Sequence, residues 1–264
     1  MSLPPPGRDT TAVVTGASSG IGEQFARELA RRGHHVTLVA RSVDKLHDLA
    51  GALSNTGADV VAADLGDPAV RAGLLERIPR TPDILVNNAG LSTLGPVAKS
   101  DPVAEVNMLQ VDVVAVTELC SRFVPGMVAR KRGAVLNVAS TAAFQPLPGQ
   151  AGYSAAKAFV LSYTQSLAGE LRGTGVTATV LCPGPVDTNF ADTAGFTPEQ
   201  AESALPKILW RPADEVARCG IDAMDKGRMV AIPGTLNRLS AYGAWLSPRS
   251  VLVPFVARRH PGLR

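Results

Sequence analysis

Residues 11–22 read TAVVTGASSGIG, from Thr11 to Gly22. A short β-branched run, Thr11 to Thr15, stops at Gly16. A glycine-punctuated turn follows. A helical pattern then runs from Ile21 to Arg32, with Ile21, Phe25, Leu29 and Ala30 on one side, and Gly33 ends it. Gly16 lets the chain turn sharply, while Gly20 and Gly22 let the backbone approach a pyrophosphate and the helix approach its sheet. The helix N-terminus adds N–H groups and a partial positive charge for that phosphate. Ser18, Ser19 and Ile21 lie in the same turn and join the three glycines as cofactor-binding candidates. Glycines alone also make ordinary turns; the placement between first strand and first helix favours binding.

The alternation continues down the chain. Strands are expected at His35 to Ala40, Asp59 to Ala63, Asp83 to Val86, Ala134 to Val138, Val176 to Leu181 and Met229 to Ile232. Between them lie helical patterns at Val43 to Leu53, from Pro68, from about Val103 to Arg130, at Ala151 to Leu171 and at Ala213 to Met224. The stretch from Asp187 to Pro212 reads as a loop with a short helix near Pro198 to Ala204. Strands that are apolar at nearly every position, alternating with helices, predict a doubly wound, Rossmann-like parallel sheet of about seven strands, covered on both faces, in a single α/β domain. In such sheets the ligand lies beyond the carboxyl ends of the strands.

Those ends carry the polar motifs. An acidic residue after the second strand would bond the ribose 2′-hydroxyl of NAD, whereas an arginine receives the 2′-phosphate of NADP. Here the strand runs into Ala40-Arg41, with no carboxylate. A guanidinium matches a phosphate in geometry and charge, so NADP(H) is the preferred cofactor, with NAD(H) left open. The competing reading of Arg41 is a solvated surface residue. Asp64-Leu65 closes the third strand, where an adenine ring would lie, and Asn87-Asn88-Ala89-Gly90 closes the fourth. Ordinary turn chemistry would use the same residue types.

Tyr153-Ser154-Ala155-Ala156-Lys157 stands near the start of a long helix, so Tyr153 and Lys157 share one face. A tyrosine with its usual pKa near ~10 is a poor base at neutral pH, and a nearby ammonium stabilises its phenolate. The pair can exchange a proton with a carbonyl oxygen while hydride moves at carbon. Ser140, at the end of the fifth strand, can hydrogen-bond the same oxygen.

With these residues in view, the chain resembles the classical short-chain dehydrogenases/reductases from about Thr11 to Gly234. The resemblance rests on TGASSGIG (15–22), NNAG (87–90), Ser140, YSAAK (153–157) and the run Pro183-Gly184-Pro185-Val186-Asp187-Thr188. It implies that Tyr153 is the general acid/base and that Lys157 lowers its pKa and holds the nicotinamide ribose. It also implies that Ser140 orients the substrate and that Pro183, Gly184, Val186 and Thr188 cradle the nicotinamide. One departure stands out. The family usually places an asparagine in the long helix before the fifth strand, to hold a water in the proton relay. Counting back from Pro125-Gly126-Met127, the matching position is Asp112, while Asn107 falls more than a turn too early. A carboxylate accepts hydrogen bonds but donates none unless protonated. Three readings stay open: Asp112 still organises the water, the relay is rerouted, or activity is weakened.

Whole-chain properties set the remaining bounds. The 264 residues suit one large α/β domain, and 45% hydrophobic and 19% charged residues suit a soluble globular one. A net charge of +3 without an aromatic-interleaved basic tract argues against nucleic acid. Cys120, Cys182 and Cys219 show no CxxC spacing, and His34, His35, His47 and His260 make no ligand pair. Buried reduced thiols, surface or half-buried histidines and no metal are expected. The proline-rich start, Met1 to Arg8, lacks an apolar signal region, which predicts a cytoplasmic protein. Three parts are expected: a disordered segment 1–10, a catalytic unit 11–234, and an apolar, basic extension 235–264.

That extension carries Leu239, Tyr242, Trp245, Leu246, Val251 and Phe255, broken by Pro248 and Pro254 and followed by Arg258-Arg259. Peripheral membrane contact, subunit packing and a cover over the substrate cleft all remain open for it. A homo-oligomer built through the two long helices, around 105–130 and 151–171, is implied by the resemblance. Phe144, Leu147, Phe190, Phe196, Leu205, Ile208 and Trp210 suit an apolar or lipid-like ketone, aldehyde or secondary alcohol, although they can equally pack the loop down. The rival to such an oxidoreductase is a cofactor-binding sensor or scaffold with weak catalysis. A third reading, a lipid reductase working at a membrane surface, joins the enzyme to the extension.

Overall fold

The computed structural model describes residues 3–53, 55–188 and 206–263. Seven strands make one sheet: β1 Thr10–Thr15, β2 Val36–Ala40, β3 Ala58–Ala62, β4 Thr81–Asn87, β5 Gly133–Val138, β6 Val176–Leu181 and β7 Val230–Ala231. Their order is β3-β2-β1-β4-β5-β6-β7, and every pairing is parallel. Helices cover both faces, so the central strands are buried along almost their whole length. This explains their unbroken apolar runs.

One face packs against α1 (Gly20–Arg31), α2 (Val43–Ala52) and α7 (Ala213–Asp225), through Phe25, Leu29, Leu46, Leu49, Val216 and Ile221. The other packs against α5 (Ala115–Ala129) and α6 (Ala151–Glu170), through Leu119, Phe123, Met127, Val160 and Leu167. The strand order reverses between β1 and β4, which opens a crevice at their carboxyl ends.

The long helix expected from Val103 to Arg130 is divided. It comprises α4 (Pro102–Leu109), a π-helical turn at Gln110–Val114, and α5. The wide turn carries Asp112 into the interior, where the residue is 1% exposed. A third-strand helix opens as expected at Pro68 but is short, α3 (Pro68–Ala72), capped by the Asp67 carboxylate. The extension forms two helices, α8 (Thr235–Leu246) and α9 (Arg249–Ala257), separated at Ser247-Pro248. The short helix expected near Pro198 to Ala204 lies outside the described residues.

At the amino edge, Pro4 is buried, Arg132 donates to the Pro5 carbonyl and Arg80 to that of Arg8. His34 is also buried, contrary to the expected surface or half-buried position, because it is carried directly from the end of α1 into β2. Burial pushes the Cys120 thiol up to about 11 and that of Cys182 up to about 12. No helix among the described residues is long and apolar enough to cross a membrane.

Candidate active site

The glycine turn is shaped by close approaches. Gly16 has φ +66°, and a Cβ there would lie 2.9 Å from the Ala89 Cα. A Cβ on Gly22 would lie 2.1 Å from the Gly16 carbonyl oxygen. Only glycine lets α1 start this close to the end of β1. Thr15 and Asn88 lock that junction. The Asn88 and Ala89 N–H groups donate to Thr15 Oγ1 at 3.0 and 3.1 Å, and Asn88 Nδ2 donates to the Thr15 carbonyl at 3.0 Å. The first N–H groups of α1 therefore open onto the crevice beside Ser18, Ser19 and Ile21.

At the neighbouring strand ends, Arg41 is exposed directly after β2. Asp64 Oδ1 accepts from Gly66 N at 2.9 Å in a local turn, and Leu65 is buried. The Leu65 carbonyl accepts from Arg71 Nη1 at 2.7 Å. Arg71 is 2% exposed and is held by Glu118 at 2.9 Å and Gln110 Oε1 at 3.0 Å. This arginine supports the loop that carries Asp64 and Leu65, yet in sequence it is one cation on an ordinary helix.

Ser140, Tyr153, Lys157 and Asp112 converge at the ends of β4 and β5. The Ser140 hydroxyl caps a 3-10 turn, accepting from Ala142 N at 3.1 Å, and also hydrogen-bonds Tyr153. Lys157 is buried, with Nζ 5.6 Å from the Tyr153 ring centroid and 2.9 Å from Asp112 Oδ2. Leu91 N donates to Asp112 Oδ1 at 2.7 Å. Gly90 leaves room for the pair, since a Cβ there would lie 3.2 Å from Lys157 Nζ. Asn107 is elsewhere, with its Oδ1 close against Gly66, so Asp112 is the residue at the Tyr-Lys cluster.

The electrostatics differ from the simple expectation of a tyrosine lowered by its lysine. Burial acts most strongly on Tyr153 and raises the phenol above its ordinary value. Lys157 and the Ser140 hydrogen bond pull it down without cancelling that rise, and Asp112 adds to it. Burial also works against the Lys157 ammonium, but Asp112 and Tyr153 outweigh it and hold Lys157 above the ordinary lysine value. For Asp112, burial raises the carboxyl while Lys157 and the Leu91 N–H oppose the rise. Asp112 therefore takes up part of the positive field that Lys157 would otherwise direct at Tyr153.

The segment after β6 closes the other side. The Pro183 carbonyl accepts from Thr141 N at 2.8 Å, and Val186 bridges to Arg211. A Cβ on Gly20 would lie 3.3 Å from Thr188 Cγ2, so Thr188 abuts the glycine turn. Gly184 packs on Asn237, which a Cβ would meet at 2.6 Å. Asn237 is buried and donates to the carbonyls of Leu209 and Pro233 at 2.9 and 3.1 Å. It ties α8 to the segment beside the crevice, a role that nothing in the sequence marks. A buried chain from Asn87 Nδ2 to Asn137 Oδ1 (2.8 Å) and from Asn137 Nδ2 to Thr164 Oγ1 (2.9 Å) also underlies the site. The alternation of β4 and β5 gave it no signal.

On the substrate side, Phe144 is buried edge-on against Tyr242, with centroids 5.7 Å apart, and Ile208 is exposed. Phe190, Phe196 and Leu205 lie outside the described residues. The end of the extension reaches this side: His260 Nε2 pairs with Gln150 Oε1 at 3.1 Å, and Gln150 Nε2 donates to Ser92 Oγ at 2.8 Å.

A family model described as short chain dehydrogenase matches residues 10–197. The granaticin polyketide synthase putative ketoacyl reductase 1 of Streptomyces violaceoruber is 40% identical over 194 residues, covering 69% of this chain and 69% of that protein. Dehydrogenase/reductase SDR family member 7B of Rattus norvegicus is 30% identical over 258 residues, covering 92% of this chain and 79% of its own. Among solved structures, a short-chain dehydrogenase from Sphingobium yanoikuyae in complex with NADPH superposes with a TM-score of 0.80 at 32% identity, over 89% of this chain and 92% of that one. A short-chain dehydrogenase/reductase from Burkholderia phymatum in complex with NAD gives a TM-score of 0.79 at 25% identity, over 91% and 93%. The chain belongs to the short-chain dehydrogenase family and is an NAD(P)-dependent oxidoreductase.

Proposed function

We propose that this oxidoreductase uses NADP(H) to reduce an apolar ketone or aldehyde, or to oxidise the matching secondary alcohol, through Ser140, Tyr153 and Lys157. The observation that carries the reading is the convergence of these three side chains beside the glycine turn, with the Ser140 hydroxyl on Tyr153 and the Lys157 ammonium 5.6 Å from its ring. The turn fits a dinucleotide, because a Cβ on Gly16 or Gly22 would collide with the backbone that forms the cradle. Exposed Arg41, standing at the end of β2 where the sequence has no acidic residue, favours a 2′-phosphate. The NADPH-bound relative agrees with that preference, and the NAD-bound one leaves NAD(H) as a second cofactor.

The glycine turn, Lys157 and the segment Pro183, Gly184, Val186 and Thr188 would hold the cofactor, which would supply hydride to the carbonyl carbon or accept it in the reverse direction. The Tyr153 phenol gives its proton to the carbonyl oxygen, and Ser140 Oγ donates a hydrogen bond to the same atom. Lys157 stabilises the phenolate left behind. Asp112 anchors Lys157 and tempers its charge. Residues 11–234 form the catalytic unit in this reading, and 235–264 an appended helical pair. Val103, Val106, Leu109, Val114 and Phe159 are exposed on α4, the π turn and α6, which supports a homo-oligomer built on that face.

The test is NADPH consumption against apolar ketones, aldehydes and ketoacyl thioesters, with NADH and Tyr153→Phe as controls. Turnover that needs both NADPH and Tyr153 supports the proposal. The Lys157–Asp112 pair favours a second reading, a cofactor-binding sensor with weak turnover, and tight NADPH binding without turnover on any carbonyl would select it.

A further inference from the structure

The 39 residues from Lys226 to Arg264 contain no aspartate or glutamate, one lysine and six arginines. The whole chain carries only +3, so the rest of the protein is net acidic and the positive charge is gathered at this end. The structure shows what these residues surround. On α8, Leu239, Tyr242 and Leu246 recur at i, i+3 and i+7 and are 63%, 43% and 74% exposed, whereas Asn237 and Ala241 are buried on the opposite side. Trp245 extends the outward face at 60% exposure. On α9, Val251 and Phe255 are exposed one turn apart, and the Arg259 guanidinium lies 4.1 Å from the Phe255 ring centroid.

The outward apolar face of α8 and α9 carries arginines and no carboxylate of its own, although Glu215 and Asp222 line a hollow beside Arg238 and Tyr242, and such a face is the wrong surface for a second copy of itself. A two-fold contact of α8 and α9 with their own copies would set the arginines of these helices against one another. Nucleic acid would meet the charge but leave leucine, valine and phenylalanine in contact with phosphate. A bilayer with anionic headgroups satisfies both features: the apolar side chains enter the headgroup–acyl boundary while the arginines meet lipid phosphates.

We propose that α8 and α9 form a docking surface for an anionic lipid bilayer, with Leu239, Trp245, Leu246, Val251 and Phe255 inserted and Arg238, Arg258 and Arg259 at the headgroups. The surface adjoins the substrate side of the crevice. Tyr242 packs on Phe144, Arg249 Nη1 donates to the Phe144 carbonyl at 3.4 Å, and His260 pairs with Gln150. Docking would therefore bring the mouth of the crevice to a lipid phase. Membrane docking is read by binding and is independent of turnover.

The experiment is co-sedimentation of the full chain with phosphatidylcholine vesicles and with phosphatidylcholine–phosphatidylglycerol vesicles. The phosphatidylglycerol vesicles are expected to bind at least tenfold more tightly, with binding weakened by salt. Arg258→Ser/Arg259→Ser is expected to lose about thirtyfold on the anionic vesicles. Leu239→Glu/Leu246→Glu, at exposed positions that leave the core intact, should abolish binding while NADPH affinity and melting temperature stay unchanged. Absence of binding to the anionic vesicles would overturn the proposal, as would binding that the leucine pair leaves untouched. So would a leucine variant that instead changes the sedimentation coefficient of the vesicle-free protein from oligomer to monomer, which would assign the face to subunit packing.

Discussion

Asp112→Asn removes one negative charge behind Lys157 and preserves the shape of the side chain. Lys157 Nζ lies 5.6 Å from the Tyr153 ring centroid and 2.9 Å from Asp112 Oδ2, so the carboxylate is no farther from the ring than these two distances end to end. At an effective dielectric constant of about 20, a unit charge roughly 8 Å from a phenolate repels it by about 2 kcal/mol. Removing that repulsion favours the phenolate by roughly twenty- to thirtyfold. The sign follows from the direction of the shift. Tyr153 is held above its ordinary value, partly by Asp112, so the phenolate needed for alcohol oxidation forms only at high pH. In Asp112→Asn the rising limb of the oxidation profile should move to lower pH, and reduction, which needs the protonated phenol, should begin to fall at lower pH too. The assay is initial rate against pH, in both directions, with saturating cofactor and the best substrate found. Leu91 N donates to Asp112 Oδ1 and the Lys157 ammonium stands 2.9 Å from Oδ2, surroundings that favour an ionised carboxylate. Superimposable profiles for the two proteins would mean that the carboxyl carries no charge felt by Tyr153.

Tyr153→Phe should lower turnover by a hundredfold or more, roughly the contribution of a positioned acid, while NADPH fluorescence titrations stay near the wild-type affinity. Arg41→Asp should shift the NADPH to NADH preference by at least about tenfold, as one charge-assisted contact is lost and a repulsive one gained; an unchanged ratio of kcat/KM values would remove Arg41 from the cofactor site. Gly22→Ala places a Cβ 2.1 Å from the Gly16 carbonyl oxygen, so the turn must open. Cofactor affinity should fall and stability drop by roughly 1–3 kcal/mol, measured by titration and thermal unfolding. Arg71→Ala takes the donor from the Leu65 carbonyl and Gln110 Oε1 and leaves Glu118 with Arg122 alone. Chemical denaturation should show a loss of roughly 2–3 kcal/mol, with weaker cofactor binding as the Asp64-Leu65 loop loosens.

The doubly wound sheet was legible in the amino-acid sequence, because period, glycine placement and strand-end chemistry are local properties. In TAVVTGASSGIG the pattern passes from strand to glycine turn to helix start, and the apolar runs at β4, β5 and β6 fit burial on both sides. The YxxxK spacing likewise put Tyr153 and Lys157 on one face before any packing was known. Contacts made across the fold were not legible in this way: the resemblance singled out Asp112 but not its ion pair with Lys157. Asp112 reaches Lys157 because a π turn rotates it inward, and a continuous helix from Val103 to Arg130 would satisfy the same hydrophobic pattern. Arg71 and Asn237 find their partners 47 and 28 residues away, on Glu118 and the Leu209 carbonyl. The extension showed the same division. Its apolar and basic composition was plain in the sequence, but which side chains turn outward was settled only when Asn237 and Ala241 were buried against the domain. A buried polar contact depends on which distant groups the chain brings together and on the water it excludes, and only tertiary structure specifies both.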